Sequence, residues 1–85
     1  MEDKLQKIQD GSITLNEFLE LTKVIQEEGD VLIFKVDGQR LPGTENMMII
    51  TFEGQPEEMI RHDKRDMKEA LSLGLKAYFS RKGML

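Results

Sequence analysis

Apolar and polar positions along the chain change their spacing several times, and each change marks an element. Leu5 and Ile8, three residues apart, place one apolar stripe on a short helix over Met1 to Gln9, and Asp10-Gly11-Ser12 breaks it. A second helix opens on a capping box. Thr14 is a good N-cap, and Glu17 stands at the third helical position, from which its carboxylate can reach back to the cap. Leu15, Phe18, Leu19, Thr22 and Ile25 fall on one face. Leu21 and Val24 widen it, so this helix is expected to be covered on more than one side. Gly29, after Glu27-Glu28, suits the left-handed C′ position that ends a helix.

The spacing then shifts from helical to extended. Val31 to Asp37 reads as a strand, apolar on both faces in its first half and on one face in its second. Met47 to Phe52 reads as the next strand. Asp37-Gly38 favours a tight hairpin turn, but Pro42 has no N–H to donate, so pairing is expected to stop near Leu41. An irregular, mobile connection is expected over Gly38 to Asn46. Glu53 to Glu57 reads as a turn and Glu58 to His62 as a short third strand, with Met59 and Arg61 on one side and Ile60 and His62 on the other.

Asp63, with Asp66 three residues on, is the expected N-cap of the last helix, which runs to about Lys82. Met67, Leu71, Gly74, Leu75 and Tyr78 make its apolar face, with Ala70 and Phe79 at the edge. Gly74 in the interior costs roughly 1 kcal/mol against Ala, a cost that close packing on a sheet would explain.

The fold class that follows is α+β: a small antiparallel sheet of two to three strands, a C-terminal helix packed on it and an N-terminal helical pair, in the order α-α-β-β-(β)-α. One domain over residues 1–85 is expected, with residues 1–29 helical and 30–85 forming the hairpin or meander and the last helix. Apolar residues on both strand faces ask for cover on both. Helices supply one side, and a second copy of the chain could supply the other, so a homodimer is a candidate assembly.

Composition narrows the chemistry. A chain of 85 residues is too short for two independent cores. Without cysteine there is no disulfide, Cys-zinc site, iron–sulfur cluster or thiol nucleophile. Met1-Glu2-Asp3-Lys4 lacks a basic segment followed by an apolar one, so no signal peptide is expected. The longest apolar runs, Val31 to Phe34 and Met47 to Ile50, are far too short to span a membrane. A soluble, cytoplasmic protein is the expectation. Among the six methionines, Met47, Met48, Met59 and Met67 sit at apolar positions, where core filling is the first reading.

Charge is distributed unevenly. Net charge is −4, with 12 Lys and Arg against 16 Asp and Glu. Residues 1–30 carry eight acids and three lysines, residues 31–60 five acids and two basic residues, and residues 61–85 seven basic residues and three acids. Arg61, Lys64, Arg65 and Lys68 could share one side of the last helix's start and form a patch for phosphate or for an acidic protein. Asp63, Asp66 and Glu69 interleave with them, and overall acidity opposes non-specific nucleic-acid binding.

Asp10 to Phe18 resembles the second half of an EF-hand calcium loop, with Gly11, Ile13 and Glu17 at the sixth, eighth and twelfth loop positions. The first and third positions fall on Gln6 and Ile8, and Ile8 offers calcium no oxygen. A helix–turn–capping box–helix needs the same residues for conformational reasons. Leu5 to Ile25 is also similar to short helix–Gly–Ile-Thr–helix modules appended to many bacterial proteins. His62-Asp63 matches the doublet of metal-dependent phosphohydrolases, but a complete metal shell needs further histidines and the chain has one. Ser12, Ser72 and Ser80 lack a Gly-x-Ser-x-Gly elbow.

No catalytic, metal or cofactor residue is assigned on these grounds. The expected function is a non-enzymatic protein-interaction module, a regulator, inhibitor or immunity-type protein that docks to a protein partner. Contacts are expected from Arg40 and Glu45 in the Gly38–Asn46 loop, because loops on a rigid scaffold carry contacts. The alternative is a nucleic-acid-associated protein using Arg61, Lys64, Arg65 and Lys68. No membrane partner is expected.

Overall fold

A computed structural model describes residues 2–85 and follows the order α-α-β-β-β-α. Helix α1 spans Glu2–Asp10, α2 Leu15–Glu27 and α3 Met67–Arg81; strands β1, β2 and β3 span Val31–Val36, Asn46–Phe52 and Gln55–Lys64. The three strands form one antiparallel sheet in the order β1-β2-β3. The expected α+β fold is therefore the observed one, with a third strand in place.

Local chemistry accounts for most boundaries. Thr14 and Glu17 form the full capping box: the Thr14 hydroxyl accepts from the Glu17 N–H, and the Glu17 carboxylate accepts from the Thr14 N–H. Glu17 also meets the Lys7 ammonium at 2.6 Å, which ties α1 to the start of α2. That hydrogen bond is the main reason the Glu17 carboxyl is pulled down to about 2. Both Glu17 oxygens thus serve conformation. Gly29 ends α2 at φ 79°, where a side chain would be strained.

Several expectations shift. In α2 the inward residues are Phe18, Leu21 and Ile25, whereas Leu15 and Leu19 are more than half exposed. The inward face is rotated from the expected one because α2 covers only one side of the fold. Strand β3 is longer than expected, and the turn before it shrinks to Glu53-Gly54. Its start is irregular: Phe52 faces Gln55, while the neighbouring Thr51 faces Met59. This irregularity accommodates Pro56, which has no N–H for a ladder.

Asp63 does not cap α3. It lies within β3, and Asp66 is the N-cap, accepting from the Glu69 N–H at 3.3 Å. Phe79 is fully buried rather than at the helix edge. Of the four methionines expected in the core, only Met48 is buried; Met59 and Met67 are exposed and Met47 is half-buried. The Gly38–Asn46 connection is irregular, as expected, though pairing stops earlier, at Val36 and Asn46. Two turns organise it, with Gln39 N–H on Asp37 Oδ1 and Thr44 N–H on Leu41 O.

One core joins the elements. Ile8, Phe18, Leu21, Ile25, Met48, Ile50, Leu75, Tyr78 and Phe79 are its centre, with Leu32, Phe34 and Ile60 packed against it. Helix α3 lies across β2 and β3, α1 lies against α3, and α2 borders β1. Gly74 lets α3 approach the sheet, because a Cβ there would overlap Met48 Sδ. The Cα envelope measures 35 × 31 × 17 Å, so the short axis holds only the sheet and one helical layer.

Candidate functional site

Alternation along the strands gives the sheet two faces with different fates. Leu32 and Phe34 of β1, Met48, Ile50 and Phe52 of β2, and Ile60 of β3 point toward the helices. The opposite side carries three rows, each crossing all three strands. Val31, Thr51 and Met59 form one row; Ile33, Ile49 and Arg61 the next; Lys35, Met47 and Asp63 the third. Val31, Ile33 and Met59 are 51, 49 and 54% exposed, values that mark an uncovered face on residues with strong reason to leave water.

Ion pairs occupy one end of this surface. Arg61 Nε donates to Asp63 Oδ2, and Arg40 Nη1 reaches Asp63 Oδ1, each at 2.8 Å. Arg40 comes from the β1–β2 connection and passes the end of β2 to reach β3. The Arg61 hydrogen bond is the main force that lowers the Asp63 carboxyl below its ordinary range. On the β1 side of that end Lys35 meets Asp37 at 3.4 Å, and the Asp37 carboxyl is lowered chiefly by the Gln39 N–H.

The residues singled out in the sequence are not one cluster. Arg40 and Arg61 converge on Asp63. Glu45 is turned into its own loop, its carboxylate accepting from the Gly43 N–H and its carbonyl from the Asp37 N–H. Lys64 has the strand parity opposite to Arg61 and points toward Glu69, 4.0 Å away. The Arg65 carbonyl accepts from Asn46 Nδ2, and Lys68 lies on α3 beside the grooves flanking that helix. Arg61 and Lys64 therefore do not form the single basic side expected of them. The His62-Asp63 doublet is likewise split between the two sheet faces by strand alternation.

A buried polar cluster escaped the sequence reading altogether. Asp30, whose side chain is 3% exposed, accepts from Tyr78 Oη at 2.7 Å and from the Glu53 N–H at 2.9 Å, and it pairs with Lys82 at 2.9 Å. Burial pushes the Asp30 carboxyl up, but these donors outweigh it and the net direction is down. The Tyr78 hydroxyl is pushed up by burial and by its bond to Asp30. Arg81 stacks on the Phe52 ring at 4.1 Å and binds Glu58 at 2.8 Å. The only sequence signal for this cluster is a lone acid between a helix-ending glycine and an apolar strand.

Among the described residues there is no grouping of three His, Cys, Asp or Glu side chains able to hold a metal ion, and no helix is long and apolar enough to cross a membrane. Comparison with family models, with curated proteins and with solved structures finds no match to this chain.

Proposed function

We propose that this chain is a protein-interaction module that docks through the uncovered face of its sheet and performs no catalysis of its own. The observation that carries the reading is the half-exposed state of Val31, Ile33 and Met59 on a sheet face with ion pairs at one end. Apolar centres with polar rims are the anatomy of protein interfaces. Met47 and Met59 add side chains that adapt to a partner's contour. A regulator, inhibitor or immunity-type protein fits this description, and the acidic N-terminal half would speed its encounter with a basic partner. A cysteine-free chain suits the reducing cytoplasm. Phosphate binding by the start of α3 has less support, because Arg61 and Lys64 face opposite ways.

The test is capture from a lysate of the source organism on immobilised wild-type chain and on an Ile49→Lys variant, with a nuclease-treated arm. The reading expects a stoichiometric protein that survives nuclease and is lost with Ile49→Lys. Equal recovery on both baits would overturn docking through this face, and loss on nuclease treatment would favour Arg61, Lys64, Arg65 and Lys68.

A further inference from the structure

We infer that the occupant of the open sheet face is a second copy of this chain, packed face to face about a two-fold axis parallel to β2. The inference rests on the docking reading above and names its partner.

Area is the first argument. Three strands about 4.8 Å apart and six to seven residues long make a face of roughly 300 Å², so an interface of standard size must also take in the surface beside the sheet. The apolar surface also continues past β1 into a groove lined by Leu19, Thr22, Gln26 and Val31. A small domain with one helical layer leaves half of its sheet surface wet, and stacking two sheets about 10 Å apart turns two such plates into a four-layer body with a second core.

Charge is the second argument, and it selects the axis. Rotation about a line along β2 keeps each row in place and exchanges the outer strands. Val31 then faces the partner's Met59, apolar on apolar. Lys35 faces the partner's Asp63, whose carboxylate Arg40 and Arg61 already hold, so charged groups meet charged groups at this end of the face. Ile33 faces the partner's Arg61, whose aliphatic stem can cover it, while Met47, Ile49 and Thr51 meet their own copies near the axis. A two-fold across the strands would instead set Lys35 over the partner's Val31 and Asp63 over the partner's Met59, stranding charges on apolar groups. Each residue on a two-fold face must complement the surface it meets in the copy, and this grid does so in one orientation. The face also carries opposite charges already paired, Arg40 and Arg61 with Asp63 and Lys35 with Asp37, so the chain's net charge of −4 does not hold two copies apart here.

The experiment is sedimentation equilibrium of the purified full chain, wild type, Ile49→Lys and, as an off-face control, Leu41→Lys, each checked for fold by circular dichroism. Met59→Lys serves as a second face variant in case Ile49→Lys fails to fold. The expected result is a dimer for wild type and Leu41→Lys, with dissociation at least ~100-fold easier in either face variant, because two lysines are forced into a desolvated centre or its border. The axis is tested separately. The chain has no cysteine, so an introduced Thr51→Cys is its sole thiol; the axis along β2 sets it opposite its own copy, where a short bis-maleimide of about 8–10 Å should link two copies, whereas the axis across the strands sets it over the partner's Met47 and leaves the two thiols out of reach. Leu41→Cys should not link. A monomeric wild type overturns the second-copy inference while leaving the lysate comparison to decide the docking reading. A dimer that survives the face variants also overturns that inference, since its interface lies elsewhere, and the lysate comparison again decides the docking reading.

Discussion

Tyr78 on the last helix donates its hydroxyl proton to the carboxylate of Asp30, 48 residues earlier, at 2.7 Å. The same carboxylate accepts the Glu53 N–H and pairs with Lys82, so one acid joins the entry to β1, the β2–β3 turn and the end of α3. Removing it strands a buried hydroxyl and a backbone N–H. Asp30→Ala is expected to cost about 2–3 kcal/mol and Tyr78→Phe about 1 kcal/mol, read by chemical denaturation at neutral pH. Stability unchanged in Asp30→Ala would show that water replaces the acid without loss.

The same contact gives the protein an alkaline limit. The folded chain holds the Tyr78 proton more tightly than the unfolded chain, whose phenol titrates near 10. Stability from this group is complete below that pH and declines as pH rises beyond it. Lys82, raised chiefly by its hydrogen bond to Asp30, acts in the same direction. Denaturation midpoints should fall above about pH 10, and Tyr78→Phe should lessen the fall. An identical alkaline slope in the variant would remove Tyr78 from the account.

Acid sensitivity has a different source. Glu17 is pulled down to about 2 in the folded chain by Lys7 and the Thr14 cap, against 4.5 for a free carboxyl. A lowered acid contributes stability above its unfolded value, and that contribution disappears as pH falls from about 4.5 toward 2. Glu17→Gln should be less stable at neutral pH and flatter across that window. Thr14→Ala, which removes the cap hydroxyl, should cost about 1 kcal/mol. A Glu17→Gln profile parallel to wild type through the window would refute the assignment.

Gly74→Ala sets two effects against each other. Helix propensity favours alanine by about 1 kcal/mol, whereas its Cβ would overlap the buried Met48 sulfur. Overpacking costs typically 1–3 kcal/mol, so the variant is expected to be less stable. Shortening the obstacle should reverse the sign: in a Met48→Val background, Gly74→Ala should be neutral or stabilising. A stabilising single variant would mean that Met48 moves aside freely.

What the sequence made legible were features whose causes lie within a few residues. The Thr14–Glu17 box, the Gly29 stop and the side preference of Met59 and Ile60 need only neighbours. Asp63 and Asp66 look equally good as caps by that standard, since each is followed three residues later by an acid. What separates them is Arg40, 23 residues away from Asp63, which with Arg61 holds Asp63 in the strand. The α2 face was ambiguous for a related reason: its apolar band is wide, and only tertiary placement decides that Leu21 goes inside and Leu19 outside. The open sheet face was visible as apolar residues on both sides of the strands. The Asp30–Tyr78 cluster was not, because neither residue has a local partner that predicts the other.

The place of α3 in the chain sets the timing of maturation. Leu75, Tyr78 and Phe79 have no exposed surface, and they cover Met48 and Ile50 from the last element in sequence order. A nascent chain that has presented every strand still lacks the lid of its own interior. Until α3 leaves the ribosome, the sheet is greasy on both sides, and its inner face has nothing from this helix to bury against.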